Sequence, residues 1–131
     1  MLKTLSIRST IRCQLIDITG QVANAVRASG VSDGVATLFV AHTTAGITIN
    51  ENADPDVTRD ILDKLARLFP QQDGQHHAEG NSDAHLKSSF MGPSLQVIVQ
   101  KGSLLLGTWQ GIYFCEFDGP RSRRCHVQVR G

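Results

Sequence analysis

Three histidines in this chain stand among polar neighbours where imidazole chemistry would be useful: His42 after an apolar segment, His76 in a polar loop and His85 beside Leu86-Lys87-Ser88-Ser89. Neutral imidazole suits Zn²⁺ and similar divalent ions, and three protein ligands with one open position are the pattern of a catalytic metal site. The same rings could instead cap helices or line a polar cleft, because the three are not spaced like ligands on one helical turn. Glu51, Glu79 and Asp83 are candidate further ligands or carboxylates that orient the rings. If a bound ion activates water, Glu51 or Glu79 could serve as general base, and His42 is the histidine expected to take part in catalysis.

A second group of residues has the chemistry of phosphate recognition. Lys87, Ser88 and Ser89 combine a cation with hydroxyls, and Arg121 follows the Asp118-Gly119-Pro120 turn. Thr43, Thr44 and Asn50 add hydroxyls and an amide near His42 in sequence. Trp109 and Gln110, bracketed by Gly107 and Gly111, offer an aromatic face that could stack on a ring or pack in the core. Arg123 and Arg124 read first as charges that flank and protect an edge strand, and Arg124, in phase with the outward His126, is expected to stay solvated.

The elements that would hold these groups are readable from periodicity. Val35 to Ala41 form a strand apolar on both faces that delivers His42, as expected of a strand covered on each side, and Gly46 to Ile49 form a short second strand. Asp54 before Pro55 is a strong helix start, and Val57, Ile61, Leu65, Leu68 and Phe69 follow at helical spacing until Pro70. A second helix runs from Thr19, the expected N-cap, to Ser29-Gly30, and a brief third runs from His85 to about Met91. Residues 70–83 read as a long polar loop.

Leu5 and Ile7, then Ile11, Cys13 and Leu15, alternate as two short strands or one bent strand. Leu95 to Leu106 read as a hairpin about Lys101-Gly102, and Ile112 to Phe117 and Cys125 to Val129 as further strands. Seven or eight strands and two to three helices that do not alternate regularly define an α+β class with mainly antiparallel pairing.

With 131 residues, 40% hydrophobic, the chain suits one domain over 1–131. A net charge of +1 gives no global field toward nucleic acid or anionic membrane, so any anion site must be local. No apolar run reaches the roughly 20 residues of a membrane span and the N-terminus lacks a signal-peptide block, so a cytoplasmic protein is expected. Cys13, Cys115 and Cys125 are odd in number and lack metal-site spacing, which makes them packed thiols.

Taken in order, His42-Thr43-Thr44-Ala45, Asn50-Glu51-Asn52-Ala53-Asp54-Pro55, His76-xx-Glu79-Gly80, Ala84-His85-Leu86-Lys87-Ser88-Ser89 and Gly107-Thr108-Trp109-Gln110-Gly111-Ile112 resemble the YjbQ-like family, also called secondary thiamine-phosphate synthases. The closing Phe114-Cys115-Glu116-Phe117-Asp118-Gly119-Pro120-Arg121 looks like the ending of many members. The resemblance implies a β-sandwich-like body with the YjbQ-like fold, a homotrimer, and a pocket in which His42, His76 and His85 hold a divalent metal ion, Zn or Mg; His77 is extra and is left out of the site. It further implies a transferase that joins a hydroxymethylpyrimidine diphosphate to a thiazole phosphate. A metal-dependent hydrolase of a phosphorylated metabolite and a noncatalytic metabolite-binding trimer are the alternative expectations.

Overall fold

The strands of this chain divide according to which face of each is apolar. In the computed structural model, which describes residues 1–72, 74–77 and 79–131, the order is β1 (Leu2–Arg8), β2 (Gln14–Asp17), α1 (Thr19–Ser29), β3 (Gly34–Phe39), β4 (Ala45–Glu51), α2 (Pro55–Leu68), α3 (Ser82–Met91), β5 (Ser94–Gln100), β6 (Ser103–Leu104), β7 (Gln110–Glu116) and β8 (Ser122–Arg130). A five-stranded sheet runs β1-β8-β3-β5-β6 and a three-stranded sheet runs β2-β7-β4, with antiparallel pairing throughout. The expected α+β class with a sandwich-like antiparallel body and three helices is therefore present.

The sheets share one core. Leu5, Ile7, Ala36, Leu38, Val97, Val99, Val127 and Val129 of the larger sheet meet Ala45, Ile47, Ile112 and Phe114 of the smaller, with Val22, Ala25 and Val26 of α1. The other face of the smaller sheet carries a second cluster in which Cys115 and Phe117 pack with Leu65 of α2 and Ala84 of α3. This two-sided burial explains why β7 is buried from Gly111 to Glu116 while β1, β5 and β8 alternate. Cys115 lies fully inside, and burial raises its thiol pKa well above the ordinary value, which disfavours the nucleophilic thiolate.

Three local expectations change. The doubly apolar β3 is covered on one side only: Val35 and Phe39 are exposed, since among the described residues no helix lies on the outer face of the larger sheet. Thr19 does not cap α1, because its hydroxyl accepts the Ile112 N–H at 2.8 Å and donates to Asp17 Oδ1 at 2.6 Å. The third helix starts at Ser82, about one turn before His85, with the Ala84 N–H donating to the Asn81 carbonyl at 3.0 Å. The α2 start is as expected: Asp54 accepts the Asp56 N–H at 2.9 Å, and Pro55 fills the first helical position. Among the described residues no helix is long and apolar enough to cross a membrane.

Candidate functional site

The extra turn of α3 decides what its side chains do. His85, Ser88 and Ser89 stand three and four residues apart and share one face, while Asp83 and Lys87 share another. Gly46 lets β4 approach the end of this helix: the Ile47 N–H donates to the Gly92 carbonyl at 3.1 Å, and a Cβ at position 46 would lie 2.9 Å from that oxygen. His42, Thr43, Ala45, His85, Ser88, Ser89 and Pro93 consequently line a single cavity of about 310 Å³.

His42 enters from the other side. The β3–β8 ladder ends at the Phe39–His126 pair, so the Arg124 N–H, two residues further along β8, meets no strand carbonyl. The His42 imidazole takes that place, its Nε2 accepting the Arg124 N–H at 3.0 Å. In a neutral ring this leaves the proton on Nδ1. Burial, then the positive charge of Arg123, lowers the His42 pKa, with the Glu116 carboxylate pulling the other way. At neutral pH His42 is thus an uncharged imidazole with a donor at Nδ1.

Behind the cavity lie two buried ion networks. Glu116 accepts Arg123 Nε at 2.9 Å and Nη2 at 2.5 Å, the Ser9 hydroxyl at 2.6 Å and the Asp118 N–H at 3.0 Å. Burial acts to raise the Glu116 pKa, but these donors outweigh it and the net shift is downward. Arg123 also reaches the Thr44 hydroxyl at 2.7 Å, so Thr44 is a buried anchor beneath Thr43 rather than a substrate contact. On α3, Asp83 accepts Arg12 at 2.9 Å through both oxygens and Lys87 Nζ at 2.7 Å. Burial opposes ionisation there too, yet the two cations take the Asp83 pKa down to about 2.

These contacts revise the expected phosphate site. Lys87 is buried and committed to Asp83, and Arg121 is held by Asp118, its Nη2 donating to Oδ2 at 3.1 Å. Ser88 donates to the Thr43 carbonyl at 2.7 Å, which leaves Thr43 and Ser89 as the exposed hydroxyl-bearing residues of the cavity. Asn50, Glu51, Trp109 and Gln110 are brought together elsewhere: Glu51 pairs with Gln110 at the end of the sheet opposite Ala45, about 20 Å along β4 at strand rise. There the Gln110 side chain accepts the Gly107 N–H at 2.7 Å, and Trp109 is exposed. Four residues expected at the site thus belong to another part of the surface.

The three histidines do not close on one point. Among the described residues, His76 and His85 line one cavity of about 420 Å³ and His42 and His85 line another, and neither is lined by all three. His77, expected to stand aside, has its ring 5.2 Å from that of His85, and Glu79 lies 3.8 Å from His77 Nε2 on the exposed loop. Among the described residues no three His, Cys, Asp or Glu side chains form a group that could hold a metal ion. The donor set expected for a divalent ion is therefore not assembled among the described residues.

Sequence reasoning missed a third cavity, about 650 Å³, on the far side of His42, lined among others by Ser6, Arg8, Ser122, Arg124 and His126. The signal was present in the residue types. None of the five strands of the larger sheet contains an aspartate or glutamate.

An antiparallel two-sheet α+β sandwich with an imidazole-lined cleft between α3 and the β3–β4 connection is the class that fold and site define. The model of the family described as UPF0047 protein YjbQ-like matches residues 3–131, and the chain belongs to that family. It is 53% identical over 132 residues to UPF0047 protein YugU of Bacillus subtilis, covering 100% of both chains. A UPF0047 protein of Methanocaldococcus jannaschii is 52% identical over 131 residues, covering 100% of this chain and 95% of that one. Among solved structures, a YjbQ/UPF0047 family protein of Clostridium acetobutylicum superposes with a TM-score of 0.96 at 58% identity, over 98% of this chain and 99% of that one. A protein of Sulfolobus solfataricus gives 0.95 at 34% identity, over 98% and 95%. The first of these structures is described as an uncharacterised protein and the second as one of unknown function. The expected labels of thiamine-phosphate synthase and metal-binding protein are corrected accordingly: these relatives support neither.

Proposed function

We propose that the chain is an enzyme that transfers or hydrolyses a group on a phosphorylated small molecule by acid–base chemistry in the cleft between His42 and His85. The observation that carries this reading is the Arg124 N–H held on His42 Nε2, which fixes the ring and its tautomer. A neutral imidazole presenting Nδ1–H can stabilise negative charge developing on a reacting oxygen, without first needing to be protonated. In this reading His85, which lines the same cavity, moves the proton, and the Ser89 hydroxyl orients the substrate. Thr43 closes the floor through its carbonyl, and the two buried ion networks keep that floor rigid.

Two further parts of the proposal follow from the surface and the thiols. Phe39 and Ile98, 46% and 58% exposed on the uncovered face of the larger sheet, suit burial between copies, in keeping with a homotrimer. Free Cys13, Cys115 and Cys125 suit a reducing cytoplasm.

The test is a turnover screen over phosphate monoesters and diphosphates with product analysis, since transfer requires an organic acceptor and hydrolysis only water. His42→Ala and His85→Ala are each expected to lower kcat by about 10²-fold or more with the fold intact by circular dichroism. Undiminished turnover in both variants would refute the assignment.

A further inference from the structure

The chain's net charge of +1 hides a strong asymmetry. The five-stranded sheet carries Lys3, Arg8, Arg123, Arg124 and Arg130 and no acidic residue, while the twelve Asp and Glu side chains all lie elsewhere. Arg123 points inward and is neutralised by Glu116. Arg8 and Arg124 point outward, and among the described residues neither has a carboxylate within ion-pair distance, in contrast to Arg12, Arg59, Lys87 and Arg121.

Register brings these two arginines together. Arg8 faces Ser122 and Ser6 faces Arg124 across the β1–β8 ladder, so the arginines are diagonal neighbours on one face, about 7 to 8 Å apart at Cα. Two hydroxyls complete the square. Beside it Thr4 engages His126 Nδ1 at 2.9 Å, which holds that ring over the same strands. Like charges at this spacing repel unless an anion lies between them, and a guanidinium offers the two-point contact that a phosphate accepts.

Position gives the pair its meaning. The groove that holds Arg8, Ser6, Ser122, Arg124 and His126 is lined at one end by His42, which also lines the His85 cavity. Arg124 contributes twice: its backbone N–H fixes His42 and its side chain borders the groove. A molecule with a phosphate between the arginines would extend its remaining atoms past His42 toward His85 and Ser89.

We propose that Arg8 and Arg124, with Ser6 and Ser122, form the phosphate-binding end of the substrate site, the role that the Lys-Ser-Ser run and Arg121 could be expected to fill from sequence. This rests on the reading of the His42–His85 cleft as a site for a phosphorylated small molecule, but it is tested by binding rather than turnover. If turnover is found while phosphate binding ignores these arginines, only this assignment fails. If phosphate binds through them while His42→Ala and His85→Ala leave turnover unchanged, only the catalytic reading fails.

The experiment is calorimetric titration of inorganic phosphate, at fixed ionic strength, into the full chain and into Arg8→Gln, Arg124→Gln and Arg130→Gln. Arg130 is the control, because it lies on the same strand with the same charge but six residues away, about 20 Å at strand rise. Arg8→Gln and Arg124→Gln are each expected to weaken binding about tenfold or more, and Arg130→Gln less than about twofold. Melting temperatures should match, since all three side chains are exposed. Equal small losses in all three variants would overturn the proposal as diffuse surface charge, and so would the absence of saturable binding to the unmodified chain. A single-stranded oligonucleotide that binds more tightly than phosphate through the same arginines would overturn the small-molecule occupant.

Discussion

The two walls that meet at His42 handle charge in opposite ways. On the α3 side, the buried Lys87 and the half-buried Arg12 converge on Asp83, and behind β4 Arg123 is clasped by Glu116, so each of these cations has a carboxylate at 2.5 to 2.9 Å. On the β1–β8 side, Arg8 and Arg124 stand in the open without one. The first wall spends its cations on its own architecture, and the second leaves them to whatever enters. Basic residues near a cleft are therefore not equivalent: Lys87, Arg121 and the inward Arg123 are internally paired, while Arg8 and Arg124, on the outward face of β1 and β8, are available.

The largest expected effect breaks the paired wall. Arg123→Ala would strand the fully buried Glu116 carboxylate, and urea unfolding should show a loss of about 3 to 5 kcal/mol. A loss below 1 kcal/mol would mean that Glu116 is not held by this pair.

Asp83 gives the next effect, through pH. Its folded pKa of about 2 lies below the ordinary 3.8, so its contribution is fully present above the ordinary value and is lost as pH falls through about 2. Stability followed by denaturant melts should fall by about 2 kcal/mol over that window, and Asp83→Asn should flatten this part of the profile. Gly46→Ala tests the packing of the same wall. Its new methyl carbon would stand 2.9 Å from the Gly92 carbonyl oxygen and 3.2 Å from Met91 Cβ, and the melt should report a cost of about 1 to 3 kcal/mol.

The smallest effect belongs to the open wall. Arg8→Gln and Arg124→Gln should leave stability within about 0.5 kcal/mol, because no internal ion pair is lost. A drop as large as that of Arg123→Ala would erase the contrast between the walls.

Particular residues show what sequence could and could not provide. Asp54-Pro55 announced α2 because capping is local, and the alternation in β5 and β8 announced strands because one face of each is buried. The start of α3 was hidden, since Asn81 makes no side-chain cap and the Ser82 hydroxyl has no hydrogen-bond partner among the described residues. That one missing turn concealed the Asp83–Lys87 pair, whose four-residue spacing is otherwise a helix signature, and left Lys87 looking like a free cation. Glu51 and Trp109 were grouped with His42 by sequence proximity and motif, but a seven-residue strand separates the ends of β4. The acid-free composition of the larger sheet was legible only once its five strands were known to be neighbours.

His42 joins the two walls, and its protonation is the most direct measure of the whole arrangement. Long-range ¹H–¹⁵N spectra of the imidazoles, followed through a pH titration, report tautomer and pKa together. The expected result is a His42 ring neutral at pH 7, protonated on Nδ1, and titrating below the ordinary 6.5. A His42 that carries its neutral-state proton on Nε2 would contradict the Arg124 contact, and one that titrates at or above 6.5 would contradict a ring kept neutral by burial and Arg123; either result removes the assigned role of the ring.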